Sequence, residues 1–283
     1  MTPLRQKMID AMRQRGFSIC THENYLRVIT DLVRFHRRSP DELSTADLQR
    51  YFDYLVRERA LAPATCNVHV AAVRFLFVQV LDHPPLECKL VVPKKPERIP
   101  ELLSPTEVAR IIGATANPKH RALLCTCYGC GLRVSELVSV LVRHVDGERR
   151  VLRVEQGKGA KDRHVAISAA LLALLRAYWQ QCRPREWLFP NHDALGPLHV
   201  KSAQRVFNKC KKTVGIEKIG GIHALRHAYA THQLEAGMPV HKLQRSLGHC
   251  NLESTMHYVH WVSDYDSGAD VKVDLVAELG IEP

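Results

Sequence analysis

Between Val91 and Leu102 the chain reads VVPKKPERIPEL. Proline lacks a backbone donor and pushes the residue before it out of helical geometry, so three prolines here let neither helix nor paired strand run through. The chain of 283 residues is therefore expected to fold as two parts, 1–90 and 103–283, joined by a semi-rigid linker over 91–102. Lys94, Lys95 and Arg98 make that linker basic.

Hydrophobic residues at 46% and charged residues at 24% let each part bury a core, so bulk disorder is not expected. The net charge of +11 favours a polyanionic partner, either nucleic acid or an anionic membrane face. The membrane reading fails on length. The longest nearly apolar run, between Arg121 and Arg133, falls short of the ~20 residues that span a bilayer. The N-terminal TPLRQKMIDAMRQRG reads as a charged amphipathic helix rather than a signal peptide, and a cytoplasmic protein is expected. Nine scattered cysteines argue against a disulfide framework. Cys125, Cys127 and Cys130 in CTCYGC lack a second Cys or His pair at zinc spacing, so they read as small buried residues of a core helix and no metal is expected.

Residues 1–90 read as four helices forming a small bundle. Thr2 caps and Pro3 opens the first, with Leu4, Met8 and Met12 inward and Gly16 at its end. The second carries Tyr25, Ile29, Leu32 and Val33; the third starts at Ser44 or Thr45 with Leu48, Phe52, Leu55 and Val56 inward. The fourth follows Pro63 and is expected to bury Val68, Ala72, Phe75 and Leu76.

The second part opens on a capping box, Ser104 to Glu107. GLRVSEL follows at Gly131–Leu137, where Arg133 stands among apolar neighbours and Glu136, three residues on, can pair with it on a helix. Alternation over Val151–Val154 and at Val165 and Ile167 predicts two strands, with Gly157 and Gly159 in the turn between them. Lys158 stands at the tip, and Lys161 and Arg163 lie nearby. A helix over Leu171–Gln181, an exposed PREWLFPN loop and a basic helix bearing Lys201, Arg205 and Lys209 complete this region. The overall class is mainly α with a small β-hairpin.

The stretch from Ile222 to His260 carries the chemistry. His223 and Arg226 stand three apart, share a helix face and can reach one phosphate. Gly237 and Pro239 end that helix and begin another, whose stripe of Val240, Leu243 and Leu247 leads to Gly248 and His249. Asn251 reads as the N-cap of a last short helix presenting Tyr258 at the surface. His227, His232, His241, His257 and His260 are assigned no chemistry, Tyr229 reads as packing, and Tyr265 is a rival nucleophile flanked by Asp264 and Asp266.

GLRVSEL, GKGAKD, HALRH, LGH and a tyrosine nine residues later, in that order, resemble the tyrosine recombinase (phage integrase) family in its compact Xer- or integron-integrase-like form. The resemblance covers essentially the whole chain. It implies a two-domain C-shaped clamp, in which an α-helical core-binding domain and the catalytic domain close on opposite faces of double-stranded DNA. It implies strand cleavage and rejoining through a 3′-phosphotyrosyl bond, with neither nucleotide nor metal cofactor, by a homo-oligomer, a tetramer on two duplexes whose tails dock between protomers. The implied catalytic set is Arg133, Lys158 (Lys161 as the alternative), His223, Arg226, His249 and the nucleophile Tyr258, with Glu136 in support. Arg74, Lys94, Lys95, Lys161, Arg163, Lys201, Arg205 and Lys209 are candidate DNA contacts, each of which also reads as part of a solvated polar face. A mobile element is the expected setting. A type IB topoisomerase-like relaxing enzyme shares the chemistry, and a non-cleaving DNA-binding accessory protein is the alternative from another class.

Overall fold

The computed structural model describes residues 2–84, 100–155, 162–262 and 280. It divides into two units, residues 1–98 and 99–283. Lys94, Lys95, Lys158, Lys161 and Tyr265, and the apolar tail segment from 271 to 279, lie outside the described residues.

Helices α1 (Pro3–Gln14), α2 (Ile19–His36), α3 (Thr45–Arg57) and α4 (Pro63–Gln79) build the first unit. Each start follows local capping chemistry. Thr2 accepts from the Arg5 N–H, and Ser44 and Asp47 form a reciprocal capping box. Met8, Met12, Leu32, Leu48, Phe52, Leu55, Ala72 and Leu76 meet in the core. Val68 does not join them: it is 38% exposed. The inward face of α4 runs through Cys66, His69, Ala72, Val73, Phe75 and Leu76, which leaves Val68 on its shoulder. His69 is buried there because its Nδ1 lies 3.0 Å from the hydroxyl of Tyr51, which satisfies both polar groups.

The second unit begins with α5 (Pro105–Gly113), α6 (Pro118–Cys130) and the single turn α7 (Val134–Val138). The capping box of α5 is present, with Glu107 Oε2 accepting from the Ser104 N–H at 2.8 Å. α6 is buried along nearly its whole length, Cys125, Cys127 and Cys130 included. A three-stranded antiparallel sheet follows, β1 (Val145–Asp146), β2 (Val151–Val154) and β3 (Arg163–Ala166), paired in the order β1-β2-β3 with Leu152 opposite Val165. Alternation puts Leu152, Val154 and Val165 into the core. After α8 (Ala169–Cys182), the PREWLFPN segment is not the exposed loop that its prolines and charges suggest. Leu188 and Phe189 are buried, and the Leu188 carbonyl accepts from the Tyr178 hydroxyl at 2.8 Å. An apolar pair inside a polar loop marks the part of it that packs.

Then come α9 (Val200–Thr213), α10 (His223–Glu235), α11 (Val240–Leu247) and α12 (Glu253–Val259). α6 packs against both α8 and α10, so the helix bearing HALRH is backed by a helix of the core. Gly131 ends α6 in the left-handed region at φ 58°, and a Cβ there would meet the buried Tyr229 ring at 2.3 Å. Gly131→Ala should therefore destabilise the protein by about 3 kcal/mol, combining backbone strain with overpacking. Gly215→Ala, at φ 68° with nothing within 4 Å, should lose only about 1 kcal/mol, and urea midpoints for the two variants test the difference.

Candidate active site

Arg133 is the residue just before α7, in extended geometry, rather than a residue within the helix. Gly131 turns the chain out of α6 two residues earlier, so Arg133 falls at the cap. Glu136 reaches back from the first turn. One of its oxygens accepts the Arg133 backbone N–H at 2.9 Å and the other accepts Arg133 Nη1 at 2.8 Å. Two further guanidiniums converge on the same carboxylate. Arg163, on β3, donates to both its oxygens at 2.9 and 2.8 Å, and Arg226, on α10, lies 3.8 Å away.

The end of α11 binds the same three side chains. Its last carbonyls lack helical partners and carry the negative end of the helix dipole, so cations settle there. Arg163 Nε donates to the Ser246 carbonyl at 2.9 Å, Arg226 Nη2 to that of Leu247 at 2.7 Å, and Arg133 Nη2 to that of Gly248 at 3.4 Å. Arg226 also donates to the Gly131 carbonyl at 2.7 Å. Gly248 sits at φ 63°, where a Cβ would press on the Arg163 side chain at 2.9 Å. Arg163 is therefore an internal strut and not the DNA-facing cation expected from its place beside the hairpin tip.

Three guanidiniums around one carboxylate leave a surplus of positive charge. Burial alone would raise the pKa of Glu136, but the hydrogen bonds and charges of Arg163 and Arg133 overcome it and hold the group down at about 2. Burial, with the charge of Arg133, brings Arg226 down to about 10, still a cation at neutral pH.

Tyr258 stands at this cluster. The sequence places it at the surface, yet it is only 5% exposed. Its ring lies parallel to that of His249 with centroids 6.2 Å apart and meets the edge of Trp261 at 5.1 Å. Its hydroxyl lies 3.0 Å from His227 Nδ1. Burial raises the phenol's pKa, and the nearby Arg226 guanidinium opposes that rise. Asn251 caps the approach to α12, its Oδ1 accepting the Glu253 N–H at 3.1 Å, with Leu252 as the residue before the helix.

His249 has both ring nitrogens engaged. Arg226 can only donate, so Nε2, 3.0 Å from Arg226 Nη2, accepts, and Nδ1 carries the hydrogen shared with Thr255 Oγ1 at 2.9 Å. Burial, then the charges of Arg226 and Arg133, lowers His249 to about 4. His223 is exposed at the start of α10, with its pKa lowered by burial and by the same arginines, and its ring centroid lies 5.8 Å from that of His227. His227 is the residue missed by the sequence reading. Its signal was available, since positions 223 and 227 share a helix face.

Arg133, Glu136, Arg226, His249 and Tyr258 are thus brought together, with His223 one ring further out. Lys201, Arg205 and Lys209 line an exposed side of α9 opposite the buried Ala203, Phe207 and Cys210, and Arg74 is exposed on α4 in the first unit.

The charge cluster has a stability signature. Because the folded value for Glu136 lies below its ordinary 4.5, its contribution is present in full above pH 4.5 and disappears as pH falls towards 2. A depression of that size corresponds to about 3 kcal/mol. Wild type should lose about that much more stability than Glu136→Gln across this window, while Glu136→Gln should already be destabilised by about 3 to 5 kcal/mol at pH 7. Urea unfolding at a series of pH values tests both.

Comparison with known proteins places this geometry in a family. Residues 101–263 match the Phage integrase family, and residues 4–85 match the phage integrase N-terminal SAM-like domain. The chain is 43% identical over 261 residues to the Sinorhizobium fredii protein y4qK, covering 92% of this chain and 84% of that one. It is 33% identical to the tyrosine recombinase XerA of Thermococcus onnurineus, over 90% of this chain and 91% of the relative. Among solved structures, a XerA recombinase superposes with a TM-score of 0.54 at 26% identity, over 91% of this chain and 92% of that one. The Tn1549 transposon integrase with a circular intermediate DNA reaches 0.72 at 19% identity, over 91% and 95%, a likeness of fold. With more than half its length matched, the chain belongs to the phage integrase family of tyrosine recombinases.

Proposed function

We propose that this chain cuts and rejoins double-stranded DNA at a specific site through a 3′-phosphotyrosyl intermediate made by Tyr258. One observation carries the reading: Tyr258 is enclosed beside Arg226, whose guanidinium belongs to a cluster with surplus positive charge and acts on the phenol. The group that would grip a phosphate thus stands beside the group that would attack it.

A free phenol has a pKa near 10, so the reaction needs stabilisation of the charge that develops on phosphorus, an acceptor for the phenol proton and a donor for the leaving oxygen. Arg133 and Arg226 present planar forks to the non-bridging oxygens. Glu136 and the α11 carbonyls hold those forks in place before substrate arrives. In the free protein His249 accepts from Arg226 and so orients it; donation to a phosphoryl oxygen needs its other tautomer, which becomes possible once a phosphate takes over that N–H. His223, at the exposed rim, orients the phosphate. Lys158, between β2 and β3 in the sequence, protonates the leaving 5′ oxygen. The phosphoester energy is kept in the tyrosyl bond, so rejoining needs no nucleotide.

The match of residues 4–85 to the family's N-terminal domain supports a core-binding role for the first unit, with Arg74 among its DNA contacts. In this reading the two units clamp the duplex, Lys201, Arg205 and Lys209 meet the backbone or major groove, and four protomers assemble on two duplexes. The setting we infer is DNA integration by a mobile element.

On nicked duplexes drawn from the DNA around the gene, in EDTA, wild type should form a detergent-resistant adduct and Tyr258→Phe none. An adduct persisting in Tyr258→Phe would discard this nucleophile. Arg226→Ala should slow adduct formation by about 10²–10³-fold while retaining DNA binding in a gel shift. Lys158→Ala should be slow on an ordinary duplex and restored by a 5′-bridging sulfur, which leaves without a proton; no restoration would remove the general-acid role from Lys158.

A further inference from the structure

We propose that His227 is the proton acceptor for Tyr258, and so a catalytic residue of the tyrosyl transfer; the inference rests on Tyr258 being the nucleophile. The hydroxyl of Tyr258 meets His227 Nδ1 at 3.0 Å. With Nδ1 unprotonated, the phenol donates to it and the imidazole carries its hydrogen on Nε2. The nearby charge of Arg226 favours the phenolate while the imidazole can take its proton, which is the pairing that a weak nucleophile needs.

The other groups of the site are committed elsewhere. Both oxygens of Glu136 are filled by Arg133 and Arg163. His249 lies parallel to the phenol, with one nitrogen on Arg226 and the other on Thr255. His223 lies one ring beyond His227, their centroids 5.8 Å apart and their planes at 87°. Trp261 packs against both His227 and Tyr258 at 6.0 and 5.1 Å, which fixes the two rings relative to each other. Burial, with the charges of His223 and Arg226 behind it, lowers His227 to about 4, so its Nδ1 is unprotonated in the resting site at neutral pH. A phosphate diester seated on Arg226 brings a negative charge that offsets this depression and makes the imidazole more basic as attack begins.

The step balances. Tyr258 Oη bonds to phosphorus as its proton passes to His227 Nδ1, the bond from phosphorus to the 5′ oxygen breaks, and that oxygen takes a proton from the general acid. In rejoining, the 5′ hydroxyl attacks, the bond to Oη breaks, and His227 returns the proton to Tyr258. The imidazole ends each cycle as it began.

The test measures adduct formation by the full chain on nicked duplexes carrying the trapped site, with oxygen or sulfur at the 5′ bridging position. His227→Phe removes the acceptor. His227→Asn keeps a group that can accept a hydrogen bond near the Nδ1 position but takes no proton, and it decides the matter should His227→Phe fail to fold or bind DNA. Both variants should form adduct about 10²–10⁴-fold more slowly than wild type, with the same deficit on the sulfur substrate, because the missing function acts on the nucleophile. A wild-type rate in His227→Asn overturns the proposal and leaves His227 as a hydrogen-bonding support. A deficit closed by sulfur overturns it too, since His227 would then serve the leaving group. If wild type forms no adduct on either substrate, the tyrosyl reading fails and this inference fails with it.

Discussion

Glu136 places one buried carboxylate, 4% exposed, among the guanidiniums of Arg133, Arg163 and Arg226. Without it, one buried and two largely enclosed guanidiniums would face one another at close range in a low-dielectric setting, where repulsion is far stronger than in water. With it, and with the carbonyls at the end of α11, most of that charge is compensated and the remainder points at whatever anion the site receives. The three arginines arrive from the start of α7, from β3 and from α10, so satisfying one carboxylate requires these elements and α11 to close on one another. Order in the site and order in this part of the second unit are the same event.

That arrangement also sets the protonation states around Tyr258. Burial together with nearby guanidiniums disfavours a further positive charge, and His249 and His227 are both held at about 4. Neutral imidazoles can accept hydrogen bonds, as His249 does from Arg226, and do not compete with the arginines as cations. The tyrosine shares this enclosure. Burial raises its pKa while the nearby charge of Arg226 works against the rise, so the phenol is kept protonated at rest beside a guanidinium.

Much of the fold was legible because its rules act over a few residues. Thr2, Ser44 and Ser104 cap helices by reaching N–H groups three positions on, Pro3 and Pro105 open them, and alternation at Leu152, Val154 and Val165 marks a half-buried hairpin. The misreadings came where packing chooses between local options. Val68 and His69 are adjacent on α4, and only the hydroxyl of Tyr51, across the bundle, makes the histidine the buried one. Leu188 and Phe189 lie in a loop of polar and breaking residues, and their burial depends on Val140, whose carbonyl accepts from the Leu188 N–H at 2.8 Å.

The same division runs through the site. The sequence by itself determined which candidate residues the family resemblance points to, since GLRVSEL, HALRH and LGH hold Arg133, Arg226 and His249 in that order. It could not say that Tyr258 is enclosed, that Arg163 turns inward, or that His227 meets the Tyr258 hydroxyl. Those facts depend on contacts between residues 83 apart for Arg163 and Ser246, 95 for Arg226 and Gly131, and 31 for His227 and Tyr258. Helix and strand periodicities relate a residue to neighbours within a turn or two, whereas buried charge is satisfied only by whatever partners the folded chain brings to it, so the tertiary structure alone decided how the charges pair and where the phenol's proton can go.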